Sequence, residues 1–194
     1  MTAECAPLDN VVRPGEVNGP CGVRLIDHRF LGQVNLRVRG AGIAAAAEAL
    51  GYGLPTTANT TAGNETSRAC WLGPDEWLIV CEDGRQGDVV AKLDRALAAH
   101  AHAATDVTDA RAVLRLLGPC ARSMLAKGCP LDLHPRLFGP ERVAQSVIGR
   151  TQAMILPIEG DDGYDLFVAR SYAGYLWAWL LDAGAEYAIR VETV

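Results

Sequence analysis

A chain of 194 residues that is 49% hydrophobic and 21% charged can bury a substantial core, which excludes a disordered polymer. Its net charge of −5, with Lys and Arg scattered rather than massed in a stripe, excludes a nucleic-acid binder that works by neutralising phosphates. The longest strongly apolar stretch, Tyr175 to Leu181, is far shorter than the roughly 20 residues that cross a bilayer, so no membrane span is expected.

Residues 1–20 carry Pro7, Pro14, Gly15, Gly19 and Pro20 with little apolar periodicity, which predicts an extended arm, loose or laid on a partner. The start, Met1-Thr2-Ala3-Glu4-Cys5, lacks the basic and apolar regions of a signal peptide; the expectation is a cytoplasmic protein with reduced cysteines. The alternation in Val34-Asn35-Leu36-Arg37-Val38-Arg39 predicts a half-buried strand. An alanine-rich helix follows from Ile43 to Leu50, stopped by Gly51. Gly53 to Glu65 reads as an exposed loop, and Ser67–Leu72 and Trp77–Cys81 read as a hairpin turning at Gly73-Pro74-Asp75. From Asp88 to His102, Val89, Val90, Leu93, Ala96 and Leu97 share one helical stripe opposite Lys92 and Arg95.

The same order then recurs. Arg111 to Leu117 is a strand, Gly118-Pro119 opens a helix closed by Gly128 and Pro130, and Val143 to Ile148 is a short strand. A second hairpin, Gln152–Ile158 with Tyr164–Ala169, turns at residues 160–163, and Ser171 is expected to cap a last helix. Leu36-Arg37-Val38-Arg39-Gly40 is echoed by Leu114-Arg115-Leu116-Leu117-Gly118. The fold expected is α+β: duplicated ferredoxin-like βαββα repeats over about 22–105 and 106–194, within one domain spanning 21–194.

At the helical step of 100°, Tyr172, Tyr175, Leu176, Trp179 and Leu180 fall on one side of the last helix, taken as the core face. The opposite side carries Gly174, Trp177, Ala178 and Leu181, apolar residues that need a cover. Burying one Trp and one Leu is worth about 3–6 kcal/mol, so Tyr172, Trp177 and Leu181 are the candidate subunit-interface residues. The cover comes either from another polypeptide or from residues 1–20 or 130–140 of the same chain.

No catalytic, cofactor-binding or metal-binding residue is assigned. There is no Gly-x-Ser-x-Gly elbow, no Gly-x-Gly-x-x-Gly turn and no Walker-type phosphate loop. Cys5, Cys21, Cys70, Cys81, Cys120 and Cys129 form no CxxC pair, and none stands at zinc-like spacing from His28, His100, His102 or His134. Asp106 and Asp109 with Arg111 and Arg115 suggest acid–base work or anion binding, but turn hydrogen bonds and local ion pairs explain them more simply. His100 and His102 read as packing or capping groups at a helix end.

Four segments carry a family resemblance: Leu72-Gly73-Pro74-Asp75-Glu76-Trp77-Leu78, Val107 to Leu116, Leu125 to Pro135, and Arg170 to Trp177. In order and type they resemble the gamma subunit of heterotetrameric sarcosine oxidases from about Arg24 onward, with the folate-binding domains of aminomethyltransferases as wider fold relatives. A stand-alone folate protein of that wider group continues its Lys-Gly-Cys motif to Gly-Gln-Glu, whereas here Lys127-Gly128-Cys129 runs into Pro130-Leu131-Asp132, so no role is carried to Cys129. The resemblance implies an accessory chain that docks on alpha, beta and delta subunits. The complex would oxidise sarcosine to glycine with hydrogen peroxide, passing the one-carbon unit to tetrahydrofolate. It would hold FAD, FMN, NAD, the folate and zinc on those other subunits. The alternatives are a stand-alone folate-binding regulator, or the gamma subunit of a related N-methyl amine oxidase or dehydrogenase.

Overall fold

The computed structural model describes Leu8 and residues 15–16, 22–29, 31–158, 160 and 162–193. In chain order these form β1 (Gly15–Glu16), β2 (Gly22–Asp27), β3 (Gly32–Val38), α1 (Gly42–Leu50), β4 (Thr61–Gly63), β5 (Ser67–Gly73), β6 (Glu76–Cys81) and α2 (Gln86–Ala96). They continue with β7 (His102–Asp106), β8 (Arg111–Leu117), α3 (Ala121–Ala126), β9 (Ala144–Ile148), β10 (Thr151–Pro157), β11 (Gly163–Ala169), α4 (Ala173–Ala183) and β12 (Ala188–Thr193). The architecture is α+β, and the chain divides into two compact units. Phe30–Thr108 with Glu141–Val143 makes the first; residues up to Arg29, Asp109–Pro140 and Ala144 onward make the second.

The first unit is a five-stranded antiparallel sheet in the order β4-β5-β6-β3-β7. Alternation sets its faces: Val34, Leu36 and Val38 enter the core with Ala46 and Leu50 of α1, Trp77 and Ile79 of β6, and Leu93 of α2. Gly51 ends α1 in the left-handed region at φ 84°, its N–H donating to Ala47 O at 2.9 Å. The buried Trp77 indole donates to Pro55 O at 2.8 Å, which satisfies its N–H inside the core.

The second unit is a seven-stranded sheet in the order β1-β12-β2-β8-β11-β10-β9. Without β1 and β2 its order matches the first unit strand for strand, so the repeat read from the sequence is a repeat of topology. The difference is β2, which inserts between the unit's first and last strands. It pairs antiparallel with β8 and parallel with β12, where Val23 lies beside Ile189 and Leu25 beside Val191. Leu8, β2 and β12 join α3 and α4 in one core. In β11, Gly163 through Val168 are all buried, the mark of a strand covered on both faces.

Several sequence expectations need correction. The helix expected to reach His102 ends at Ala96, with Leu97 as C-cap, because Ala98-Ala99-His100-Ala101 turns the chain into β7. Each unit therefore closes with a strand after its second helix, which the βαββα reading omitted. Ser171 does not cap α4: Arg170–Tyr172 form a 3₁₀ turn, and Tyr172 stands at the N-cap with no side-chain hydrogen bond. The helix expected from Pro119 starts at Ala121. The arm expected over residues 1–20 lies outside the described residues, apart from fully buried Leu8 and the Gly15–Glu16 pairing with β12. Residues 22–29, assigned to the first repeat in the sequence, belong to the second unit through the pairing of β2. Among the described residues, no helix is long and apolar enough to cross a membrane.

Candidate functional site

Helix α4 presents a different face to the core from the one its sequence suggested. Ala173, Leu176, Trp177, Leu180 and Ala183 are buried, a spacing of three and four residues that forms one stripe. Trp177, expected to face outward, is 1% exposed inside the second unit's core, and Leu181 is partly buried against it. The large hydrophobic side chains left in solvent here are Tyr172 at 53% and Tyr175 at 38%. Apolar side chains surround this helix, so no local pattern directs its burial. Small Ala173 and Ala183 allow close approach to the sheet, and the tyrosines tolerate water through their hydroxyls.

Tyr175 and Trp179, one turn apart, reach across two tight bends. The Tyr175 hydroxyl accepts from Arg150 N at 2.9 Å, and Gly149 N donates to Gly128 O at 3.0 Å. A Cβ at Gly128 would collide with the Trp179 ring, so the Lys127-Gly128-Cys129 segment is fixed by packing. Lys127 reaches the Ala183 carbonyl and Glu186 at the end of α4, with its ammonium 4.9 Å from the Tyr187 ring centroid. Cys129 is a buried free thiol, as are Cys70 and Cys81. Burial, followed by the charge of Asp106, pushes the Cys81 thiol up to about 11, which leaves it protonated and a poor nucleophile. Cys120 is disulfide-bonded, contrary to the expectation of reduced cysteines.

The acidic residues before β8 and the arginines within it do not converge on one site. Asp106 accepts from Thr108 N at 2.9 Å as a turn residue, and Asp109 pairs with Arg170 at 3.4 Å on the surface. Arg115 instead forms a bidentate pair with Asp165, directly opposite it on β11, at 2.7 and 2.8 Å. Asp165 is 6% exposed. Burial pushes its carboxyl up, but the two Arg115 hydrogen bonds and His28 outweigh that and hold it below the usual carboxylate range. His28 Nδ1 stands 4.0 Å away, too far for a hydrogen bond. The sequence did hold a signal for this pair, a lone Asp in the otherwise apolar strand Tyr164 to Ala169.

His100 packs beside Gly42, while His102 lies in β7. Its Nδ1 donates to His100 O at 2.9 Å and its Nε2 meets Asp94 at 3.1 Å. The backbone bond first, and Asp94 with it, hold the imidazole above its ordinary value. Among the described residues, no three His, Cys, Asp or Glu side chains converge to hold a metal ion. The described residues thus include two exposed tyrosines on α4, Tyr172 and Tyr175, and one nearly buried ion pair, Arg115 with Asp165.

Residues 38–186 match the family described as sarcosine oxidase, gamma subunit family. The sarcosine oxidase subunit gamma of Corynebacterium sp. (strain P-1) is 36% identical over 169 residues, covering 86% of this chain and 82% of that protein. A chain of the solved heterotetrameric sarcosine oxidase from Corynebacterium sp. U-96 superposes with a TM-score of 0.79 at 34% identity, covering 85% of each. The glycine cleavage aminomethyltransferase T of Bartonella henselae superposes at 0.64 with 17% identity over 91% of this chain and 48% of that one, a likeness of fold. Extent, identity and fold agree, and the chain belongs to the sarcosine oxidase gamma subunit family.

Proposed function

We propose that this chain is the accessory gamma subunit of a heterotetrameric sarcosine oxidase, docking on larger flavin-bearing alpha and beta subunits and a small delta subunit. The observation that carries the reading is the superposition on a chain of a solved heterotetrameric sarcosine oxidase over 85% of both chains. In this reading the complex converts sarcosine, oxygen and tetrahydrofolate to glycine, hydrogen peroxide and 5,10-methylenetetrahydrofolate. FAD, FMN, NAD, the folate and zinc sit on the other subunits, and this chain supplies no reacting group.

The docking face is assigned to the Tyr172–Tyr175 side of α4, where the exposed aromatic area lies. Trp177 serves the chain's own core, Leu181 packs partly buried against the same core, and both are withdrawn from that face. Co-expression of the tagged chain with alpha, beta and delta subunits tests the reading. The expected result is a four-chain complex of equal stoichiometry that consumes oxygen with sarcosine. A chain that purifies alone and binds tetrahydrofolate with 1:1 stoichiometry in calorimetry would overturn it in favour of a folate-binding regulator.

A further inference from the structure

The second unit contains a cleft of about 350 Å³ between the end of β8, the 135–140 segment and residues Pro157, Ile158, Gly160 and Asp162 beside β10 and β11. Its walls are held in place. Gly118 N donates to Asp162 O at 2.8 Å, and the Tyr164 hydroxyl donates to Leu133 O at 3.0 Å. Four prolines, Pro119, Pro135, Pro140 and Pro157, contribute to the lining with φ fixed by their rings. Phe138 stacks on Tyr164 with centroids 6.4 Å apart and planes 26° apart, giving the cleft an aromatic wall. The volume falls at the lower end of the range of small-molecule sites, roughly 300–1,000 Å³.

One cation lines this cleft of mixed polar and apolar surface, Arg122. It is exposed and has no hydrogen-bond or ion-pair partner among the described residues. A guanidinium beside flat apolar walls recognises a planar carboxylate with an apolar body attached. Asp162, in the same lining, repels a multiply charged anion such as a phosphate ester and so favours a single carboxylate. We propose that this cleft binds a small organic monocarboxylate with a flat apolar body, its charge held by Arg122 and its body against the proline and aromatic walls. The inference stands on the cleft alone and does not depend on the assembly reading.

The test is calorimetric titration of the full chain with 2-naphthoate and with its neutral counterpart 2-naphthamide. Naphthoate should bind at one site, at least tenfold tighter than the amide. Arg122→Ala, a change on the surface, should weaken naphthoate by about ten- to a hundredfold, as expected for a lost charge-assisted contact, and leave the amide unchanged. Arg136→Ala, an exposed charge outside the lining, should change neither. Equal affinity for the two probes, an unaltered Arg122→Ala titration, an equal loss in Arg136→Ala, or no naphthoate binding at millimolar concentration would each overturn the proposal.

Discussion

Asp165 has a carboxylate almost closed off from water, and Arg115 meets both of its oxygens. Removing one partner of such a pair leaves the other desolvated and unpaired. Asp165→Asn should cost about 2–3 kcal/mol in urea denaturation at pH 7, less than for a fully buried pair because the Arg115 side chain is 30% exposed. The carboxyl is lowered in the folded state, so its stabilisation is complete above the ordinary carboxylate range near pH 4. It is lost as pH falls through the lower folded value, and the gap between wild type and variant should narrow over that window. His102 has the opposite sign: its folded value is raised, so its interactions stabilise most below about pH 6.5 and fade as pH climbs past the folded value. Its ring resonances should titrate above that reference by NMR, and Asp94→Asn should bring the midpoint down.

Among the elements, α4 separates residues that hold the core from residues that face solvent. Trp177→Ala should cost about 3–5 kcal/mol, the range for removing a large buried aromatic. Tyr172→Ala should stay within about 0.5 kcal/mol in the isolated chain while weakening assembly with other subunits. If thermal denaturation and co-purification gave the reverse, the face assigned to the core would be wrong. The strands whose apolar residues alternate between sharp turn signals, such as β3 and the β5–β6 hairpin, were legible in the sequence. So was the repeat of order. β7 was not: its His102-Ala103-Ala104-Thr105-Asp106 continues an alanine-rich helical stretch and becomes a strand by pairing with β3. The face of α4 was illegible for the reason that α2 was clear: α2 has charges to mark its wet side, and α4 has apolar residues all round. The Asp165–Arg115 pair needed the β8–β11 register, which no local pattern supplies.

Across the whole molecule, the two sheets share one strand order, and β2 breaks the symmetry in the second. β12 is held by β2 on one side and β1 on the other, with Ile189 and Val191 buried. Deleting residues 187–194 would strip β2 of its parallel neighbour. Hydrogen exchange in β2 and β8 should then rise by at least about tenfold, while β3 to β6 keep their protection. Uniform acceleration across both units would contradict that division.

The inserted strand also imposes a schedule on synthesis. Residues 22–27 leave the ribosome well before their parallel neighbour at 188–193. At roughly 5–20 residues per second, that wait is on the order of ten to thirty seconds. The first unit's contiguous stretch can form most of its sheet on the nascent chain during this interval. The second can pair β2 with β8 in that time but must leave the strand's other edge open until residues 188–193 emerge, which makes that edge the point where a chaperone, or a change in codon speed, would matter most.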